Sequence, residues 1–132
     1  DDAAGWPGAR LTAALAVAAG DDPRGAVRAW RADAHGHPSP NAGPVEASFA
    51  GALGVRLGGT LSYGGRVEHR AVLNGGARPV EVGDIERAVR LSQRVGALTL
   101  GVCLAGRWAA GRLGRLGRPG YQRVTDFPGS GR

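Results

Sequence analysis

Apolar and polar positions fall in blocks along the chain, and the blocks mark out helices. The run "RLTAALAVAA" (10–19) is apolar and alanine-rich, and Gly20 and the turn "DDP" (21–23) close it. That punctuation is expected where a helix stops. Pro23 suits the first turn of a second helix, with Asp21 or Asp22 as its cap. In "RGAVRAWRADA", Val27, Trp30 and Ala34 share one face and Arg24, Arg28 and Arg31 another, until Gly36 and Pro38 end it. The segment "PVEASFAGALGVRLGG" predicts a third helix opened by Pro44. Its small residues recur at four-residue spacing, Ala47–Gly51 and Ala50–Gly54–Gly58. Such a face lets backbones approach closely, in a membrane or in a soluble core. "GGTLSYGG" (58–65) reads as a glycine-bounded turn, and "RVEHRAVL" as a short strand or extended segment. Asp84 is expected to cap a long helix whose Arg87, Arg90 and Arg94 line one face.

Val95 to Gly106 carries no charge. As a helix it measures about 18 Å, short of the roughly 30 Å hydrocarbon core of a bilayer. With a snorkelling Arg107 and "WAAG" it predicts a marginal span or a re-entrant piece. Arginines flank both ends, so charge gives no orientation. Residues 112–132 are rich in glycine and arginine, lack an apolar face and read as a loose tail. The fold expected is mainly α: a membrane-associated helical fragment with one long motif-bearing loop and little β structure. Its boundaries are 1–111 for the domain and 112–132 for the tail.

Composition narrows the chemistry. All 17 basic residues are arginine, and neither lysine nor methionine occurs. The missing methionine predicts a processed piece or a fragment. The missing lysine excludes a Walker A loop, a lysine Schiff base and a lysine nucleophile. A net charge of +6 invites a nucleic-acid partner. The arginines are scattered, however, and only seven aromatic side chains could stack on bases, which disfavours that partner. The single cysteine, Cys103, sits in an apolar run and reads as a packing residue; disulfides and a cysteine zinc site are excluded.

The varied chemistry is concentrated in "DAHGHPSPNAGP" (33–44). Asp33, His35 and His37 alternate, but an H-x-H pair needs a converging third ligand, and the remaining histidine, His69, is distant in sequence. A histidine at a helix C-terminus is explained by the dipole alone. Ser39 and Asn41 are good turn formers between prolines, which a rigid connector would require anyway. Asn41 and Glu46 bracket a helix start, where backbone N–H groups can receive an anion.

The series "HPSPNAGPVEASFAGALGVRLGGTLSYGG", followed by "R" and "DIERAVRLSQRV", resembles the carboxy-terminal half of the CobD/CbiB family of cobalamin biosynthesis, adenosylcobinamide-phosphate synthase. The resemblance covers residues 1 to about 108, with "WRADAHGHPSPNAG" similar to the family's signature loop. It departs at Gly5–Gly8, at Pro44 and in the tail. The resemblance implies a corrinoid-assembly ligase in the bacterial inner membrane, its motif loop facing the cytoplasm and completed by amino-terminal membrane helices. The implied reaction is ATP-dependent amide formation between aminopropanol, or its phosphate, and the free propionate of adenosylcobyric acid, with ATP and magnesium as expected cofactors. Asp33 and Glu46 are then candidates for catalysis, through magnesium or the substrate amine. His37, Ser39, Asn41 and Gly43 would bind phosphate or propionate, and Tyr63 the corrin. The alternative from another class is a non-catalytic, arginine-rich module on a membrane surface or nucleic acid.

Overall fold

The computed structural model describes residues 2–116. In chain order it holds α1 (Asp2–Ala19), α2 (Pro23–Asp33), a 3₁₀ turn (Ala34–Gly36), α3 (Ala42–Leu53), the strands β1 (Leu57–Tyr63) and β2 (Arg66–Leu73), and α4 (Asp84–Leu116). Residues 117–132, most of the expected loose tail, lie outside the described residues; α4 itself continues through Leu116. Two compact units divide at Gly101 and Val102.

The first unit is built around α3, which packs against both α1 and α2. Its core is made of methyl groups: Ala13, Ala16, Ala26, Ala29, Ala47, Ala50 and Ala52 are all buried. One methyl removed from water contributes only about 0.8 kcal/mol. What small residues provide instead is proximity, and hence dispersion contacts between main chains. A Cβ on Gly51 would strike the backbone of Gly25 and Ala26, and one on Gly25 would lie 2.8 Å from the Gly51 carbonyl oxygen. The Ala47–Gly51 repeat therefore serves a contact within the chain. Gly54 and Gly58 lie beyond the helix. Gly54 ends α3 in the left-handed conformation, with Val55 N–H donating to Ala50 O and Gly54 N–H to Gly51 O, a Schellman closure.

Helix α2 starts as its sequence predicts, with the Asp22 carboxylate accepting from Gly25 N–H at 2.8 Å and Pro23 in the first turn. Helix α1 begins eight residues before the expected Arg10 and holds Pro7 inside it. The loop compensates for that poor helix sequence. Arg10 stacks on the Trp6 ring one turn earlier, at 3.9 Å, and donates to Pro40 O, while Gly5 lies against the side chain of Asn41.

The largest departure from expectation is a β-hairpin. "GGTLSYGG" is not simply a turn: Leu57–Tyr63 pairs antiparallel with Arg66–Leu73, and only Gly64 and Gly65 turn. Both have positive φ, as a two-residue turn that matches strand twist requires. Gly58 faces a bulge in β2, where Ala71 and Val72 together stand opposite it and the register shifts between Leu57 and Gly59. A Cβ on Gly58 would run into the Ala71 carbonyl. Glycine at 58 and 59 is a strand device here.

Asp84 opens α4, but its carboxylate does not cap the helix's own amides. It reaches back to Glu81 N–H at 2.9 Å and receives Arg78 through both guanidinium nitrogens and Arg87 through one, each at 2.7 Å. Leu91 and Val95 of α4 join Ala16, Ala26 and Ala52 in one buried cluster. Arg94 closes the end of α1 by donating to Ala19 O and to Asp21. In the second unit the described residues are helical; Arg112 lies 4.5 Å over the Trp108 ring. Among the described residues no helix is long and apolar enough to cross a membrane.

Candidate functional site

Ser39 organises the loop between α2 and α3. Its Oγ accepts from Asn41 N–H at 3.4 Å and Ala42 N–H at 3.2 Å, while its carbonyl accepts from Gly43 N–H. It does the work of an N-cap, satisfying amides at the helix start. Asn41 occupies the cap position without a side-chain cap bond. Gly43 is buried because α3 passes the Ala34 carbonyl and the His37 Cβ too closely for a side chain.

The same loop fixes a histidine. His37 Nδ1 lies 3.0 Å from the Ser39 amide nitrogen and 3.2 Å from the Ser39 carbonyl oxygen, so the main chain of Ser39 holds the ring at Nδ1 whichever nitrogen carries the proton. Nε2 lies 3.5 Å from Glu46 Oε2, on the first turn and a half of α3. His37 is half-buried and the Glu46 side chain is 49% exposed. The main chain of Ser39 thus fixes one side of the ring, and the ring turns its other nitrogen toward a carboxylate.

The pair forms one wall of a cleft of about 430 Å³. The hairpin forms the other, through Leu57, Gly58, His69, Arg70 and Ala71. His69 is exposed on β2 and lines the cleft, with half-buried Ala71 and buried Leu73 further along the strand. Arg70, which also lines the cleft, pairs with Glu68 at 3.1 Å. His69 is held by Thr60, its cross-strand partner, with Oγ1 3.0 Å from Nδ1. His69 is the site residue that reading by sequence distance missed. A hairpin recognised between 57 and 73 would have returned it beside the loop.

Of the residues singled out in the sequence, His37 and Glu46 meet in this cleft, and Ser39 supports them from behind. Asp33 points elsewhere: its Oδ2 accepts Asn74 N–H at 2.6 Å. Asn74 has φ of 54° and donates its side-chain amide to Ala50 O and Val55 O. Asp33 thereby ties the end of α2 to the root of the hairpin. Asn41 and Gly43 lie in the structural shell of the loop, at the start of α3. Tyr63 ends β1 opposite Arg66; its side chain is outside the described residues. Among the described residues no three histidine, cysteine or acidic side chains converge as a metal site. Among the described residues, Glu46 is the one carboxylate lining the cleft.

A second cleft, of about 410 Å³, opens on the other side of the loop and shares His37 and Pro38 with the first.

The family profile described as CobD/Cbib protein matches residues 1–92. Over 113 residues the chain is 54% identical to the cobalamin biosynthesis protein CobD of Mycobacterium tuberculosis, covering 81% of this chain and 36% of that one. It is 47% identical over 94 residues to the CobD of Chromobacterium violaceum, covering 71% and 30%. With the cobalamin biosynthesis protein CbiB of Salmonella arizonae it shares 38% identity over 117 residues, covering 84% and 36%. The chain thus spans about a third of the length of the curated relatives it matches. No solved structure matches it.

Proposed function

The chain belongs to the CobD/CbiB family, and from that premise we propose that it serves cobalamin biosynthesis as part of an amide-forming ligase. The substrates proposed are adenosylcobyric acid and aminopropanol or its phosphate. The observation that carries the reading is the His37–Glu46 pair facing His69 across a cleft of small-molecule size.

A carboxylate does not condense with an amine unaided. The propionate first attacks the γ-phosphorus of ATP, giving an acyl phosphate and ADP. The amine nitrogen then attacks the acyl carbon, phosphate departs, and the nitrogen loses a proton. An amine reaches the site as an ammonium ion, so something must hold that cation and take its protons. Glu46 suits both tasks: an exposed carboxylate whose Oε2 is oriented by His37 can accept a charge-assisted hydrogen bond from the ammonium. It then accepts the proton as general base. His37 is a positioning residue, because the Ser39 main chain holds Nδ1 and Glu46 faces Nε2. His69 lines the opposite wall, and in this reading it would donate to the acyl oxygen as negative charge develops there.

Magnesium, expected alongside ATP, would neutralise phosphate charge. A single cleft carboxylate does not make a protein cage for it. That ion normally takes one or two carboxylates with substrate phosphates and water. Placement at the inner membrane, with the loop toward the cytoplasm and amino-terminal membrane helices completing the enzyme, belongs to the same proposal. Exposed apolar side chains on α4, including Leu100, Leu104 and Trp108, support it. The rival reading as a basic binding module is weakened because six described arginines, 28, 70, 78, 87, 90 and 94, are paired with carboxylates.

The test is a chimera in which the matched segment of the Mycobacterium tuberculosis relative is replaced by that of this chain. It should restore cobalamin synthesis to a strain lacking the relative. Glu46→Gln in the chimera should abolish conversion of adenosylcobyric acid while the protein still accumulates. Undiminished conversion by that variant would sink the assignment.

A further inference from the structure

The second cleft is basic, and the ligation reading leaves it unused. It lies between α1, the end of α2 and the proline-rich loop, lined by Arg10, Trp30, Arg31, His35, Pro40 and Pro44 among others. Three of these carry or can carry positive charge. None of the three has a carboxylate within ion-pair distance among the described residues. That contrasts with the six arginines already neutralised elsewhere. The C-terminal dipole of α2 explains a cation at Arg31 structurally. It does not explain Arg10, which comes from another helix and is held at the cleft by its bond to Pro40 O and its stack on Trp6. A prefixed guanidinium loses little freedom when it takes an anion. Half-buried Trp30 and the prolines add an apolar surface beside the charges.

We propose that this cleft binds a phosphorylated small molecule, its phosphates on Arg10, Arg31 and His35 and its ring or apolar part against Trp30. Guanidinium groups match phosphate geometry through paired N–H donors. The volume, about 410 Å³, falls within the range of small-molecule sites. Because the two clefts share His37 and Pro38, a phosphate donor on one side of the loop would lie next to the reacting groups on the other. Naming that donor ATP rests on the ligation reading; the anion site itself does not.

Binding is therefore measured without turnover, by titrating ATP and inorganic tripolyphosphate into the 132-residue chain. Both should bind and compete. Arg31→Ala with His35→Ala should weaken both by at least about tenfold. Arg31→Gln alone, a gentler change at an exposed position, should weaken them in the same direction. Arg56→Ala with Arg66→Ala, which removes exposed charge elsewhere, should leave affinity unchanged. The proposal fails if neither anion binds, or if the control pair weakens binding as much as the cleft pair. It also fails if phosphatidylglycerol vesicles capture the chain and tripolyphosphate does not compete. Binding of tripolyphosphate but not ATP would keep the anion site and remove the nucleotide, and an inactive chimera that still binds both would fault the ligation reading alone.

Discussion

Gly25 and Gly51 meet main chain to main chain where α2 crosses α3, and neither position has room for a Cβ. The contact sets the spacing of the two helices from which the loop departs and to which it returns. Everything the loop presents depends on that spacing.

Gly51→Ala should therefore destabilise the fold, although alanine is the better helix former by about 1 kcal/mol. Its methyl would collide with the Gly25 carbonyl and the Ala26 Cα, and both are backbone atoms that cannot rotate away. Overpacking of this kind costs about 1–3 kcal/mol. Urea denaturation followed by circular dichroism should show a lower midpoint. An unchanged or higher midpoint would mean the helices can part freely.

Asp84 makes stability depend on acid. The paired Arg78 guanidinium, then the Glu81 amide and Arg87, hold its carboxyl well below the usual carboxylate range against an opposing effect of burial; the residue is only 5% exposed. In the unfolded chain an aspartate takes up its proton near pH 3.9, to about a unit. The contribution of Asp84 is thus complete above that pH and is lost progressively as pH falls below about 4, because the unfolded state protonates first. Asp84→Asn should lower the melting temperature at pH 7 and flatten its decline between about pH 4 and 2. Parallel melting-temperature curves for the two proteins would show that other carboxylates set the acid limit.

Ser39 holds two amides of the α3 start and, through its own main chain, the ring of His37. Ser39→Ala should cost about 1 kcal/mol of stability, as loss of a cap does. Ser39→Asp should recover most of it. Because that hold on His37 is backbone, both variants keep it, so the imidazole proton signals of His37 in NMR should shift little. A large shift would show that the hydroxyl, and not the turn it closes, positions the ring.

Much of the helical frame was legible in local signals. Asp22 and Pro23 announce α2, Gly20 stops α1, and the spacing of Ala47 and Gly51 foretells a close helix contact. What was not legible depended on partners far along the chain. The first two turns of α1 contain Pro7 and two glycines, and they are helical because Arg10 and Gly5 rest on the loop. Gly58 and Gly59 read locally as breakers, and only β2 makes them strand, with Gly58 facing its bulge and Gly59 paired with Arg70. The cleft shows the same division. His37 directly follows the 3₁₀ turn and Glu46 comes nine residues later in α3, so one local segment carries both. His69 arrives by strand register, and no local pattern encodes it. Asp33 illustrates the reverse: its composition suggests chemistry, and its geometry shows a hydrogen bond to a distant amide.

The knot at Asn74 has a mechanical consequence. Asp33 grips its amide, and its own side chain grips the end of α3 through Ala50 O and Val55 O. The hairpin is thereby a cantilever clamped at one end. His69 sits four residues out from Leu73 along β2, about 13 Å at roughly 3.3 Å per residue. A rotation of about 5° at the clamp would carry the imidazole about 1 Å across the cleft, a displacement of the order that costs an active site about a hundredfold in rate. The bonds of one asparagine, with buried Leu73 beside it, anchor the end of the hairpin from which His69 projects.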